Sequence, residues 1–382
     1  MRHLILCSVM WLCGLMMAVG QNVPQVIPAL QQWKSAKGKL VLPETGKVIV
    51  SSDEENELKG EAEILVQDLK EMFGWEYSVV VGKKEKGAVY LTLGKPDKIL
   101  GEEGYRMNIQ GEVTIEAPTS KGVFWGTRTL LQMIHNQPEG LMKGRATDFP
   151  LYPNRGFMID GGRKFFTMDY RRDYVKILSF YKMNELQVHL NDNGFVEFFD
   201  NDWNKTYAAF RLESERFPGL TAKDGSYTKK EFTDLQRLGM EYGVNVIPEI
   251  DIPAHSLAFT HYKPEIGSKE YGMDHLDLYK EETYHFVDSL LDEYIGGENP
   301  VFIGPDVHIG TDEYNKKEAE QYRYFTDRYL KYIEKYGKTP RMWGGLKWLP
   351  GKTPVKAEGV TVNAWSYDWV DPEVSLKDGY KL

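Results

Sequence analysis

From residue 156 onward the chain alternates short apolar runs with longer helical segments, and that rhythm limits the possible folds more than any other feature. The short runs are 156–160, 185–190, 244–250, 307–310, 341–343 and 360–364, and the segments 169–182, 229–242, 281–294 and 316–336 between them read as helices. Short apolar runs bounded this way fit buried strands of a parallel sheet, whose neighbours must be joined by crossovers, usually helical. Repeated β–α units predict such a sheet, and this many in a row predict a (β/α)8-type TIM barrel. A doubly wound sheet is the alternative. No glycine-rich phosphate fingerprint follows any strand, which counts against a nucleotide-binding fold.

Residues 22–150 lack this rhythm and are expected to form a small α+β domain. In 54–73, Leu58, Ala62, Leu65, Leu69 and Met72 have helical spacing, and Gly74 supplies the stop. Strand-like runs follow at 77–81, 89–93, 105–109 and 113–115, then a second helix at 122–135. His135 stands alone there and reads as structural or solvated. The stretch Asp148-Phe149-Pro150-Leu151-Tyr152-Pro153 is a stiff joint, placing the barrel at 151–382. Residues 1–20 have the form of a secretory signal, with Arg2 and His3, an apolar run from Leu4 to Val19, and small residues at Ala18-Val19-Gly20. The run is short for a membrane span, although a retained anchor is the alternative. The expectation is an exported protein, periplasmic or extracellular, with no span in the mature chain. Cys7 and Cys13 both lie in this segment, so the mature chain would hold no thiol, disulfide or cysteine metal site.

The formal charge is −9, from 56 acidic and 47 basic side chains, which disfavours phosphate backbones and argues against nucleic acid as a partner. Aromatic residues make up 13%, including 9 Trp and 23 Tyr, which suits stacking against sugar rings but also suits a large core.

In a (β/α) barrel, chemistry sits at the C-terminal strand ends. Here Asp160 and Arg163 follow the first strand, and His189, Asn191, Asp192 and Asn193 the second. Glu249, Asp251 and His255 follow the third, His308, Asp312 and Glu313 the fourth, and Trp343 and Trp365 the last two. Chance would scatter such groups over both ends of the strands. The set suits glycosidic cleavage, which needs a proton for the departing oxygen and a stabiliser for an oxocarbenium-like centre. Glu313, with the longer reach, suits the general acid, its pKa raised by burial and neighbours. Asp312 is placed to hold a group beneath the sugar. An isolated Asp-Glu pair could equally begin a helix. His189, His255 and His308 with Asp192 and Asp251 could make a zinc site, but no local ligand spacing supports one, so neither metal nor cofactor is expected. Trp343 and Trp365 are expected to wall a sugar pocket.

These residues resemble glycoside hydrolase family 20, the β-N-acetylhexosaminidases. The matching stretches are Arg155-Gly156-Phe157-Met158-Ile159-Asp160 with Arg163; Lys182-Met183-Asn184 running to His189-Leu190-Asn191-Asp192; Val246-Ile247-Pro248-Glu249-Ile250-Asp251 with Pro253 and His255; and His308-Ile309-Gly310-Thr311-Asp312-Glu313. The spacer Phe217-Pro218-Gly219-Leu220-Thr221, with Gly225 and Tyr227-Thr228, also fits, and the α+β domain resembles the accessory domain preceding this barrel. The resemblance implies a retaining, substrate-assisted mechanism on a glycan ending in N-acetylhexosamine, an exception to the two-carboxylate scheme. It implies that the 2-acetamido oxygen attacks the anomeric carbon to give an oxazolinium ion. Asp312 would orient the acetamido nitrogen, and Glu313 would protonate the departing oxygen and then activate water. Arg163 would grip ring hydroxyls, Trp343 and Trp365 would box the sugar, and Asp192, Asp251 and His255 would support them, with His189 and His308 beside them.

The sequence departs from the family pattern where Gln187 and Val188 precede a single His189, and at Asn193, Ala254 and Thr311. These changes suggest a divergent subgroup, and release of a disaccharide, as by lacto-N-biosidases, is an alternative. Six strands are read, with Gly379-Tyr380-Lys381-Leu382 as the start of a seventh. The family's tyrosine and further wall tryptophan from the last two strands are not assigned, and the expectation is a C-terminally truncated barrel. A non-catalytic glycan-binding relative and a metal-dependent barrel hydrolase are the competing classes.

Overall fold

The computed structural model describes residues 23–382. The signal-like segment, with Cys7 and Cys13, lies outside the described residues. The chain divides into two compact units. One runs to Arg155 and includes Lys176–Met183 and Glu241–Gly243; the other comprises Gly156–Val175, Asn184–Met240 and Val244–Leu382.

The first unit is built on a seven-stranded mixed sheet. Its strands are β1 (Gln32–Leu40), β2 (Thr45–Val50), β3 (Glu76–Val81), β4 (Val89–Leu93), β5 (Tyr105–Ile109), β6 (Val113–Ala117) and β7 (Leu141–Asp148), in the order β1-β7-β5-β6-β4-β2-β3. Helix α1 (Glu55–Phe73) packs on β2 and β3 through Leu58, Ala62, Leu65 and Leu69. It closes at Gly74, whose φ of 71° is the left-handed conformation that glycine adopts without strain. Helix α2 (Ser120–Asn136) is capped by the Thr119 hydroxyl, which accepts from the Gly122 amide at 3.1 Å, and it lies against β5 and β6. Strands β1, β2 and β7 were not expected. Strand β1 is mostly exposed and carries Lys34, Lys37 and Lys39, so it shows no apolar alternation; antiparallel pairing with β7 makes it a strand.

The second unit has six parallel strands: β8 (Gly156–Asp160), β9 (Glu185–His189), β12 (Asn245–Ile252), β15 (Asp306–Gly310), β16 (Thr339–Trp343) and β17 (Thr361–Asn363). Two short antiparallel pairs, β10 (Asn191–Asn193) with β11 (Ala208–Phe210) and β13 (Gly267–Ser268) with β14 (Gly272–Leu276), sit in the loops. The helices are α3 (Met168–Phe180) and α4 (Lys229–Glu241), whose residues from Lys176 and at Glu241 count with the first unit, then α5 (Leu257–Tyr262), α6 (Glu281–Ile295), α7 (Ala319–Lys335) and α8 (Pro372–Lys377). The six strands lie side by side in chain order, β8-β9-β12-β15-β16-β17. A doubly wound sheet would reverse direction at a switch point, so that alternative falls away.

The sheet is curled. Asn363 on β17 donates to Gln187 on β9 at 2.8 Å, although four strand spacings, roughly 19 Å along a flat sheet, separate them. Arg341 on β16 likewise reaches Glu185 on β9 at 2.6 Å. Only a barrel arc brings these side chains together across its hollow. Outward-facing Leu186, Val188, Val246, Ile250, Val307, Ile309, Met342 and Val362 are buried. So are Phe286, Leu290 and Leu291 of α6 and Tyr322, Phe325, Tyr329 and Ile333 of α7, at helical spacing. Six strands of the expected (β/α)8-type barrel are described, curled into an arc and preceded by the expected α+β unit. Lys381 begins pairing beyond β17 through a parallel bridge to Thr361, where a seventh strand was expected.

Candidate active site

The site begins where β15 leaves the barrel. Gly310, Thr311 and Glu313 all have positive φ, at 69°, 69° and 42°. A Cβ on Gly310 would lie 1.7 Å from Asp251 Oδ1, so no other residue fits without displacing that carboxyl. Thr311 is β-branched, and holding it left-handed costs roughly 1–3 kcal/mol. The neighbours enforce it: the Thr311 amide donates to the Ile252 carbonyl at 3.0 Å, and the Tyr322 hydroxyl donates to the Thr311 carbonyl. His275 braces the next step, its Nε2 lying 3.2 Å from the Glu313 carbonyl oxygen and its Nδ1 2.8 Å from Asp274. The turn presents Asp312 and Glu313 to one imidazole. His255 Nε2 is 3.7 Å from Asp312 and 3.4 Å from Glu313.

On its other side His255 Nδ1 is 2.9 Å from Asp192 Oδ1. Asp192 is buried and collects partners. Its Oδ2 meets Arg163 Nη1 at 2.6 Å and His189 Nε2 at 2.8 Å, and its Oδ1 accepts from the Asn193 amide at 2.7 Å. Arg163 is further tied to Asp160 at 3.0 Å and to the Asn193 carbonyl at 3.1 Å. Asn191 staples two strand ends, donating to the carbonyls of Asp251 and His255 and accepting from the Asp251 amide.

Beneath this rim lies Glu249, fully buried. It accepts from Gln187 at 2.7 Å and from the Trp343 indole at 2.5 Å. It also faces His189 Nδ1 at 3.0 Å, a contact too bent to count as a hydrogen bond. His308 Nδ1 accepts from the Gly310 amide at 3.0 Å, so the imidazole carries its proton on Nε2. Burial holds it neutral, lowering its pKa to about 4. Its ring meets that of Trp343 edge-on at 4.9 Å.

The charges follow from this arrangement. Burial would lower His255, but Asp312, Asp251, Asp192 and Glu313 outweigh it and push its pKa well above the usual 6.5. Burial raises Asp251 well above the carboxylate range, helped by the charge of Asp312. Burial also raises Asp312, with Glu249 and Glu313 adding to it and His255 opposing. Asp192 is penalised by burial, yet His189 and His255 hold it far below the ordinary value. The expected upward shift of Glu313 is not found. The hydrogen bond with His255 lowers its pKa, burial opposes this only in part, and its side chain is 46% exposed. The carboxyls whose pKa burial raises are Asp312 and Asp251, not Glu313.

Of the residues singled out in the sequence, Arg163, Asp192, His255, Asp312, Glu313, Asp251 and His189 form one contiguous cluster, and Trp343 and His308 join it through Glu249. Trp365 stands apart. Its indole donates to the Gly344 carbonyl at 3.0 Å and its ring meets Trp369 at 5.4 Å. Trp343 and Trp365 both line a cavity of about 340 Å³ in the barrel hollow, together with Met158, Gln187 and Asn363. Glu249 was seen as a strand-end residue but given no role. Its signal is parity: it lies two residues before Asp251, hence on the same strand face. Gln187 stands in the same relation to His189. The Asp274–His275 brace has no comparable signal. Three groups of site residues could offer ligand atoms within 4.8 Å of one another, such as Asp160, His189 and Asp192. In that group, however, Arg163 is paired with both carboxylates, which is the chemistry of an ion-pair network rather than a cation site.

Fold and rim together define a (β/α)8 barrel with buried acid–base groups above its strands. The chain belongs to glycosyl hydrolase family 20: the model of the family's catalytic domain matches residues 152–323 and that of its domain 2 matches residues 23–149. It is 28% identical to a beta-hexosaminidase of Akkermansia muciniphila over 300 residues, 70% of this chain and 59% of that protein. It is 24% identical to a lacto-N-biosidase of Bifidobacterium bifidum over 389 residues, 94% of this chain and 32% of that protein. A Streptomyces plicatus beta-hexosaminidase variant, solved in complex with its product GlcNAc, superposes with a TM-score of 0.76 at 25% identity, covering 94% of this chain and 73% of that one. The chain thus spans less than two thirds of the length of these curated relatives.

Proposed function

We propose that the chain carries the active site of a β-N-acetylhexosaminidase, which releases terminal β-linked GlcNAc or GalNAc from glycans with retention, through an oxazolinium intermediate. The observation that carries this reading is Asp312: its Oδ1 is buried with no hydrogen-bond partner among the described residues, and the carboxyl shares His255 with Glu313. A buried acceptor beside a proton-carrying pair is what an acetamido N–H needs while its carbonyl oxygen attacks the anomeric carbon. In this scheme Glu313 gives its proton to the departing oxygen as the C–O bond breaks, then takes one from the water that opens the oxazolinium ring.

Glu313 is ionised in the free site, so substrate must restore its proton. A sugar covering Glu313 removes its water and raises its pKa, and the protonated His255 beside it is the nearest source. Arg163, fixed by Asp160 and Asp192, grips ring hydroxyls. Trp343 and Trp365 wall the sugar, Trp343 held by Glu249. Likeness to hexosaminidases favours release of a single sugar over a disaccharide. Export, resting on residues 1–20, completes the proposal and is checked by fractionating the cells that make the protein.

The test is turnover of a chromogenic N-acetylglucosaminide. Glu313→Gln is expected to abolish nearly all turnover while inhibitor binding persists, and Asp312→Asn to impair oxazolinium formation. Efficient cleavage of a substrate lacking the acetamido group would refute substrate assistance. Sugar binding without turnover would make the chain a binding module, and loss of turnover to chelators would favour a metal-dependent hydrolase.

A further inference from the structure

The first unit's sheet carries a feature unrelated to the barrel chemistry. One cross-strand row reads Lys34 on β1, Arg145 on β7, Asn108 on β5, Thr114 on β6 and Tyr90 on β4, each directly opposite the next. The adjacent row runs Gln32, Thr147, Arg106 and Glu116. Lys34, Arg106 and Arg145, joined by Lys84, line one concavity of about 430 Å³. Like charges directly opposite on an antiparallel pair destabilise a sheet, and Lys34 with Arg145 is such a pair. Among the described residues no carboxylate pairs with Lys34, Lys84 or Arg145, although Arg106 is matched by Asp97 at 2.5 Å. Glu116 is the acid within the lining, so the cations outnumber it. The whole chain has a net charge of −9, so this concentration of positive charge runs against its composition.

We propose that this face is an accessory site for a sulfated glycan chain, with a sulfate group held between Lys34 and Arg145. The Arg145 guanidinium offers the forked donors that match two sulfate oxygens, and Lys34 and Lys84 supply point charges on either side. Gln32, Asn108 and Thr147 stand between the cations and bond sugar hydroxyls. A long polyanion such as nucleic acid is repelled by the net charge, whereas a short sulfated oligosaccharide engages the patch alone. The site does not depend on the function proposed for the barrel.

Calorimetric titration of the whole chain with a heparin-derived hexasaccharide tests this. Binding is expected, weakening as salt is raised. The double substitution Lys34→Gln/Arg145→Gln should weaken it at least about tenfold, from the loss of two charge-assisted contacts. Lys34→Glu, which pairs with Arg145 instead, should weaken it too, and Lys59→Gln on α1 should not. Equal affinity for the desulfated hexasaccharide, equal affinity for a single-stranded oligonucleotide, undiminished binding by the double variant, or no binding at all would each overturn the proposal.

Discussion

In the first unit the apolar side of each central strand lies beneath α1 and α2 and the polar side meets water. In the second, the apolar side is buried and the polar side turns into the hollow of a barrel. The residue types on the polar faces are alike: Lys34, Arg106, Glu116 and Arg145 in one, Glu185, Glu249, His308 and Arg341 in the other. Their fates differ because curling removes water from the second set. Arg106 and Arg145 keep ordinary exposed surroundings, while Arg341 is buried between Glu185 and Asp306 and Glu249 is sealed under His189 and Trp343. The lesson is that alternation alone does not make a site; closing the polar face against itself does, because desolvation amplifies each charge and leaves Asp312 and Asp251 with raised pKa values.

The sharpest test of that contrast is the rim. Glu313→Gln should lower kcat on an N-acetylglucosaminide by roughly 10²–10⁴-fold, the usual share of a general acid. A loss below tenfold would detach the chemistry from the curled face.

Glu249→Ala comes next. It leaves the buried His189 without the counter-charge beneath it and the Trp343 indole without its acceptor, and breaking such a buried ion pair costs about 3–5 kcal/mol. Arg145→Gln, on the open face, should change stability by no more than ~0.5 kcal/mol. Urea unfolding of both variants checks the pair, and equal effects would erase the distinction between the two faces. Gly310→Ala should cost about 1–3 kcal/mol through its positive φ alone, with activity lost as Asp251 is displaced.

The smallest effect expected inside the barrel is on pH dependence. His255 has a folded pKa raised above 6.5, so its contribution to stability is full below 6.5 and is lost as pH rises through the folded value. Asp192→Asn removes one of the charges raising it, so this window should close at lower pH. NMR titration of the His255 ring in the two proteins reads the shift directly, and an unmoved pKa would take Asp192 out of the account.

Much of this was legible beforehand. Strands such as 185–190 and 244–250 announced themselves because burial on both faces demands near-continuous apolar or specially paired residues, and polar groups at their C-terminal ends marked the rim. Strand β1 escaped because it is exposed and charged, and only pairing defines it. Glu249 escaped a role because its partners His189 and Gln187 come from the neighbouring strand β9, which no local pattern around residue 249 shows. The protonation of Glu313 was misjudged for the same reason, since His255 lies 58 residues earlier in the chain.

By itself, the sequence determined the order of β and α elements, the family, and which residue types reach the barrel rim, since periodicity and local motifs need only near neighbours along the chain. The tertiary structure alone decided which carboxyl is buried, which imidazole is charged, and that Lys34 faces Arg145. Those depend on solvent exclusion and on distances of a few ångströms between segments far apart in sequence, and no local pattern encodes them.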